Sequence, residues 1–160
     1  MFLDDEVRFY FAATNVRHAR RWELLPQRAG LGVATSRPDR FVALEAGEEP
    51  GTVATTAFVP AGMELRLNAR TESDGWVRAE LCDERGLARA GRAAADCIPF
   101  SGDALGHVMR WRAGAGGGAV GLPDAGVRVS VRLQARRARL YSVSLAAEGE
   151  RARCDRFTSP

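Results

Sequence analysis

From about Phe41 onward, hydrophobic and polar residues alternate with a period of two, the pattern of strands with one buried face. In MELRLNAR, Leu65, Leu67 and Ala69 fall on one side, while Arg66, Asn68 and Arg70 fall on the other and are expected in solvent. VRVSVRLQA repeats the pattern, with Val127, Val129, Val131 and Leu133 inward and Arg128, Ser130, Arg132 and Gln134 outward. Further strands are predicted at FVALEA, TVATTAFV, GWVRAELCDE, HVMRWRA and ARLYSVSL. The segments EEPG, ESDG, DERG, GAGGGAVGLPDAG and ARR read as the turns between them. No strand–helix–strand alternation and no well-capped helix is apparent. The expectation is an all-β, antiparallel β-sandwich or jelly roll over residues 38–147.

Residues 1–37 behave differently. EVRFYFAAT and GLGVATS each read as a strand, with the Arg-rich excursion VRHARRWELLPQR between them. Two strands joined by a long loop cannot bury a sheet face by themselves, so this pair calls for a partner. Residues 148–160 are charged and aperiodic, and read as a flexible tail.

At 160 residues and 46% hydrophobic content, the chain can build one domain with a true core. No apolar run approaches the roughly 20 residues of a membrane-spanning helix, and MFLDDEVRFYF puts acids where a signal peptide carries bases, so no membrane partner is expected. All 23 basic residues are Arg, the codon bias of a GC-rich genome. The net charge of +3 does not point to nucleic acid, because the 20 acids are interleaved with the arginines. Cys82, Cys97 and Cys154 form no CxxC pair and read as free thiols, the alternative being one bridge from Cys82 or Cys97 to Cys154.

Taken in order, EVRFYFAAT, GLGVATSRPDRFVAL and EAGEEPGTVATTAF resemble the junction where bacterial glycoside-hydrolase-like proteins related to families 32 and 43 pass from a five-bladed β-propeller into a carboxy-terminal β-sandwich. LRLNAR, VRAELCDERG, DCIPFSGD, MRW and ARLYSVSL resemble the successive strands and turns of that sandwich. The resemblance implies that residues 1–37 are the last strands of an incomplete propeller blade. Their partner would be an upstream propeller domain or another chain. It also implies that the catalytic carboxylates of such enzymes lie on earlier blades, so no catalytic residue is carried over. The implied role is a non-catalytic accessory module that braces the propeller, with a polysaccharide as candidate ligand. The alternative is a free-standing carbohydrate-binding jelly roll.

Candidate chemistry is sparse. DCIPFSGDALGH places Asp96, Ser101, Asp103 and His107 close in sequence, the residue types of a nucleophile, base and orienting acid. Ser101 lacks a G-x-S-x-G elbow, however, and Asp96 and Asp103 read as caps of a connection. Asp83, Glu84 and Asp39 likewise suit turns. His107, Met109 and Trp111 share one strand face, so Trp111 is either a saccharide platform with His107 beside it or a core residue. Trp76 follows a turn, alternates with Val77, and is expected outward and partly exposed as a second platform. Asn15, His18 and Arg20, in or beside the excursion that also holds Trp22, complete the candidate substrate contacts. Glu45, Glu48 and Glu49 form an acidic loop without a D-x-D-x-D calcium pattern. No metal or other cofactor is expected.

Overall fold

The computed structural model describes residues 1, 3, 5–15, 28–60, 63–112, 118–122, 126–147 and 149. His18, Arg20, Trp22, Cys154 and all of the tail expected to be flexible except Gly149 lie outside the described residues. The described residues form only β structure, all of it antiparallel. The chain divides into one unit ending at Pro38 and a second beginning at Asp39.

In the first unit, β1 (Val7–Thr14) pairs with β2 (Ala29–Ser36) in unbroken register from Val7 opposite Ser36 to Thr14 opposite Ala29. The pleat sends Phe9 and Phe11 to one face and Tyr10 to the other, where Leu31 and Val33 join it. All five are exposed, Leu31 to 92% and Tyr10 to 66%. Phe11 lies over the bare backbone of Gly32, where a β-carbon would come within 2.5 Å of the ring.

The second unit is built on two long strands, β5 (Glu64–Cys82) and β9 (Ser130–Ala146), paired along nearly their whole length. β6 (Asp103–Val108) pairs with one edge of β5. β3 (Leu44–Ala46) and β4 (Gly51–Ala54) pair with successive parts of β9. The resulting five-stranded sheet is curled. A short separate pair is formed by β7 (Trp111–Arg112) and β8 (Ala119–Val120).

Four sequence expectations are corrected here. ESDG and ARR are not turns between strands: the chain runs straight through both, making one strand of MELRLNAR and GWVRAELC and another of VRLQA and ARLYSVSL. The two irregularities face each other, Thr71 pairing with Ala138 and Trp76 with Arg136 while the intervening residues bulge. Arg137 takes a left-handed φ of 44°, and Gly75 lets the Arg137 carbonyl approach to where a β-carbon would sit only 2.2 Å away. A paired bulge bends two strands without separating them.

The second correction concerns Arg66 and Asn68, expected in solvent. They occupy the face opposite Leu65, Leu67 and Ala69, as their parity requires, yet they are only 6% and 4% exposed because charged and polar partners cover them. Third, HVMRWRA is not one strand: β6 begins earlier, at Asp103, and the chain breaks at Met109–Arg110 before β7. Fourth, FVALEA and TVATTAFV contribute only three strand residues each, β4 taking its first residue, Gly51, from the preceding turn.

Each bulge shifts the inward set by one position. Along β9 the core residues are Val131 and Leu133, then Ala138 and Leu140, with Val143 and Leu145 packed against them after a second shift at Tyr141. They meet Leu65, Leu67, Ala69, Val77, Ala79 and Leu81 of β5 in one cluster closed by Cys97, Phe100, Met109 and Trp111.

Candidate functional site

The sequence-adjacent Ser101, Asp103 and His107 each engage a different partner. Ser101 Oγ lies 3.3 Å from Thr71 Oγ1. Asp103 Oδ1 accepts from Arg40 Nη2 at 2.6 Å. The ring of half-buried His107 packs on Phe100 with centroids 4.7 Å apart, and burial lowers its pKa. Between Leu67 and Ala69, β6 sets two residues, Leu105 and Gly106, against the single Asn68 of β5, which moves His107 off the face of Asp103. The stretch is therefore a connection and an edge strand.

Other acids flagged in the sequence hold turns or pair with arginines. Asp83 Oδ1 accepts from the backbone amides of Arg85 and Leu87, both at 2.9 Å, in a turn that ends on Gly86 with positive φ. Asp96 Oδ2 accepts from the amide of Ala93 at 3.2 Å. Glu45 pairs with Arg139 and Glu48 with Arg137, so two acids of the EAGEEPG loop face β9 arginines.

Trp111 is fully buried and its Nε1 donates to the carbonyl of Ala79 at 2.9 Å. No ring face remains for a saccharide, and the core reading of this residue is the correct one. Asn15 closes the base of the β1–β2 connection, its Oδ1 accepting from the amide of Arg28 at 2.9 Å.

Sequence reasoning missed two polar clusters, both on the face of β5 opposite the core. In the first, Arg40, with a side chain only 8% exposed, donates from Nε to Asn68 Oδ1 at 2.9 Å and from Nη2 to Asp103 and to the carbonyl of Ala104 at 3.1 Å. Its guanidinium also lies 4.7 Å from the Tyr141 ring centre. Five donors in a rigid fork suit this many acceptors. The result pins the first residues of the second unit to β5, β6 and β9.

In the second cluster, Glu64 accepts from Arg66 at 2.9 Å and from Arg110 at 2.6 Å, with both the glutamate and Arg66 nearly buried. No local signal marks either cluster, because Arg40 reaches Asn68 across 28 residues and Arg110 reaches Glu64 across 46.

Trp76 is partly exposed on the outward face of β5, as expected. Arg78, two residues on and on the same face, holds its guanidinium 4.9 Å from the centre of the Trp76 ring. The residues opposite on β9 are Arg136 and Gln134. Arg136 donates to the Glu48 carbonyl at 2.9 Å, and Arg132 pairs with Glu80. Arg78, by contrast, meets no acceptor among the described residues, and its Nε is buried without a partner. Trp76 and Arg78 thus form an aromatic and cationic pair on the outward face of β5.

Comparison with family models, curated proteins and solved structures returns no match to this chain. The functional reading rests on the geometry.

Proposed function

We propose that this chain is a non-catalytic accessory module of a glycoside-hydrolase-like protein, in which a β-sandwich or jelly roll built on β5 and β9 braces a β-propeller. The observation that carries this reading is the β1–β2 pair. It presents Phe9 and Phe11 on one face and Tyr10, Leu31 and Val33 on the other, all exposed. A sheet apolar on both faces is built to lie between other layers, as an element of a larger β structure does. In this reading an upstream propeller or another chain supplies those layers, and the Arg40 cluster fixes the start of the module that follows.

Amide hydrogen exchange on the full chain as a monomer tests this. β1 and β2 should exchange close to the rate of unprotected peptide, while the central residues of β5 and β9 stay protected through global unfolding. Equal protection of both units would overturn the reading.

A second reading, a free-standing carbohydrate-binding jelly roll, is favoured by the Trp76–Arg78 pair. Binding of a glycan panel to the isolated chain, lost in Trp76→Ala, distinguishes it from a purely bracing role.

A further inference from the structure

The two edges of the β1–β2 pair differ. On β1, the amide of Arg8 donates to the Met1 carbonyl at 2.8 Å, and the Met1 amino group donates back to the Arg8 carbonyl at 3.0 Å. β2 has no such cover. Just past the strands, Asn15 donates its amide to the Arg28 carbonyl at 3.2 Å, which marks these two as a hydrogen-bonded pair. Antiparallel pairs alternate between bonded and non-bonded kinds, so Gly30, Gly32, Ala34 and Ser36 turn their backbone groups toward β1. Ala29, Leu31, Val33 and Thr35 turn theirs away, and among the described residues nothing bonds to them there. The outward amide of Arg8, opposite Thr35, has the same phase. Open sheet edges are ordinarily guarded by a lysine, a proline or a bulge. β2 has no charge and no proline, its register with β1 is unbroken, and Leu31 and Val33 are exposed. A two-stranded sheet is marginal by itself and gains independent stability from further strands.

We infer that the open edge of β2 pairs antiparallel with β2 of a second copy of this chain, about a two-fold axis at Gly32, giving one four-stranded sheet in the order β1–β2–β2–β1. With the axis there, Ala29 meets the second copy's Thr35 and Leu31 meets its Val33. All four outward-facing residues of each copy then fall in hydrogen-bonded pairs. Such self-matching is what a two-fold interface demands of a single strand, and an uncharged strand brings no like charges together. Directly opposite residues share a face, so Leu31 and Val33 of the two copies join in one apolar strip, with a Tyr10 at either side. The inference concerns the edge of the pair, whereas the bracing reading concerns what lies on its faces, and neither requires the other.

Sedimentation equilibrium of the full chain over a concentration series, with amide exchange at both ends of the series, tests the pairing. A monomer–dimer equilibrium is expected, with the amides of Leu31 and Val33 protected only in the dimer. Val33→Pro deletes an outward amide and leaves the bonds to β1 in place. It removes two symmetry-related hydrogen bonds, so the dimer dissociation constant should rise at least about tenfold. Nuclear Overhauser contacts between Ala12 and Leu31 report whether β1 and β2 stay paired in that variant. Where they do not, charge exchange decides: Leu31→Glu and Val33→Lys should each weaken the dimer, and the double variant should restore it, because the two new charges then face each other across the axis. A chain monomeric at every concentration overturns the inference, as does a dimer that leaves Leu31 and Val33 unprotected. So does a dimer indifferent to Val33→Pro with β1 and β2 still paired, or one no stronger in the double variant than in either single one. The bracing reading survives each of these outcomes, because its exchange experiment is run on the monomer.

Discussion

Arg40 and Asp103 stand 63 positions apart in sequence and meet at 2.6 Å, with the arginine almost wholly inside and the aspartate side chain 42% exposed. That asymmetry sets the expected cost of breaking the contact. Arg40→Ala removes the buried donors to Asn68 Oδ1, the Ala104 carbonyl and Asp103 together and should destabilise the second unit by about 2 to 4 kcal/mol. Asp103→Asn keeps a side-chain oxygen and loses mainly a solvent-screened charge, so about 1 kcal/mol or less is expected. Urea midpoints of the two variants check the order.

The paired bulge makes opposite predictions for its two strands. Gly75→Ala drives a methyl into the Arg137 carbonyl, a backbone atom that cannot swing aside, and should cost more than about 3 kcal/mol. Arg137→Gly relieves a left-handed φ in exchange for partly exposed ion pairs, and should lie within about 1 kcal/mol of the parent. Thermal melting distinguishes a geometric role of the bulge from an electrostatic one.

Glu64 holds two arginines, one of them buried. Glu64→Gln leaves Arg66 with an uncompensated charge in a nearly dry site, an expected loss of about 3 kcal/mol or more. Arg66→Met in the same background should recover much of it, because the charge that needed a partner is then absent. A double-mutant cycle in urea measures the recovery.

Burial lowers the pKa of His107, so its folded value lies below the ordinary value near 6.5. The neutral ring is the form that the fold favours. Its contribution is fully present above the unfolded pKa and is lost as pH falls from about 6.5 through the lower folded value. His107→Phe should therefore flatten the stability profile as pH falls below about 6.5, read as urea midpoints at successive pH values.

Cys82 and Cys97 are buried free thiols, and for both, loss of solvent raises the thiol pKa above its ordinary value. Cys97 also accepts the amide of Ala79 at 3.2 Å. Both should react with a disulfide reagent only as fast as the second unit opens, with full reactivity in denaturant.

The two-residue alternation in VRLQA and in MELRLNAR was enough to place Leu65, Leu67, Val131 and Leu133 in the core, since the pleat fixes side-chain parity locally. The same alternation set Arg66 and Asn68 on the opposite face, but could not reveal that Glu64, Arg110 and Arg40 would cover them. ESDG and ARR look like turns because Gly, Asp and a broken period look alike in a turn and in a bulge. Only their meeting across the β5–β9 ladder tells the two apart. Trp76 was legible as an outward ring. The unmatched state of Arg78 was not, because it depends on where Glu48, Glu80 and Asp74 find their partners.

The sequence by itself determined the class of structure: antiparallel strands, their buried parity, and an amino-terminal pair unable to bury its own faces. These follow from interactions between residues near in sequence and from the geometry of a single extended strand. Tertiary structure alone decided that two pairs of apparent strands are two continuous ones, that Trp111 is core, and that Arg40 is clamped while Arg78 meets no acceptor among the described residues. Those outcomes depend on which distant residues satisfy each polar group, and partners of that kind are set only when the sheet closes.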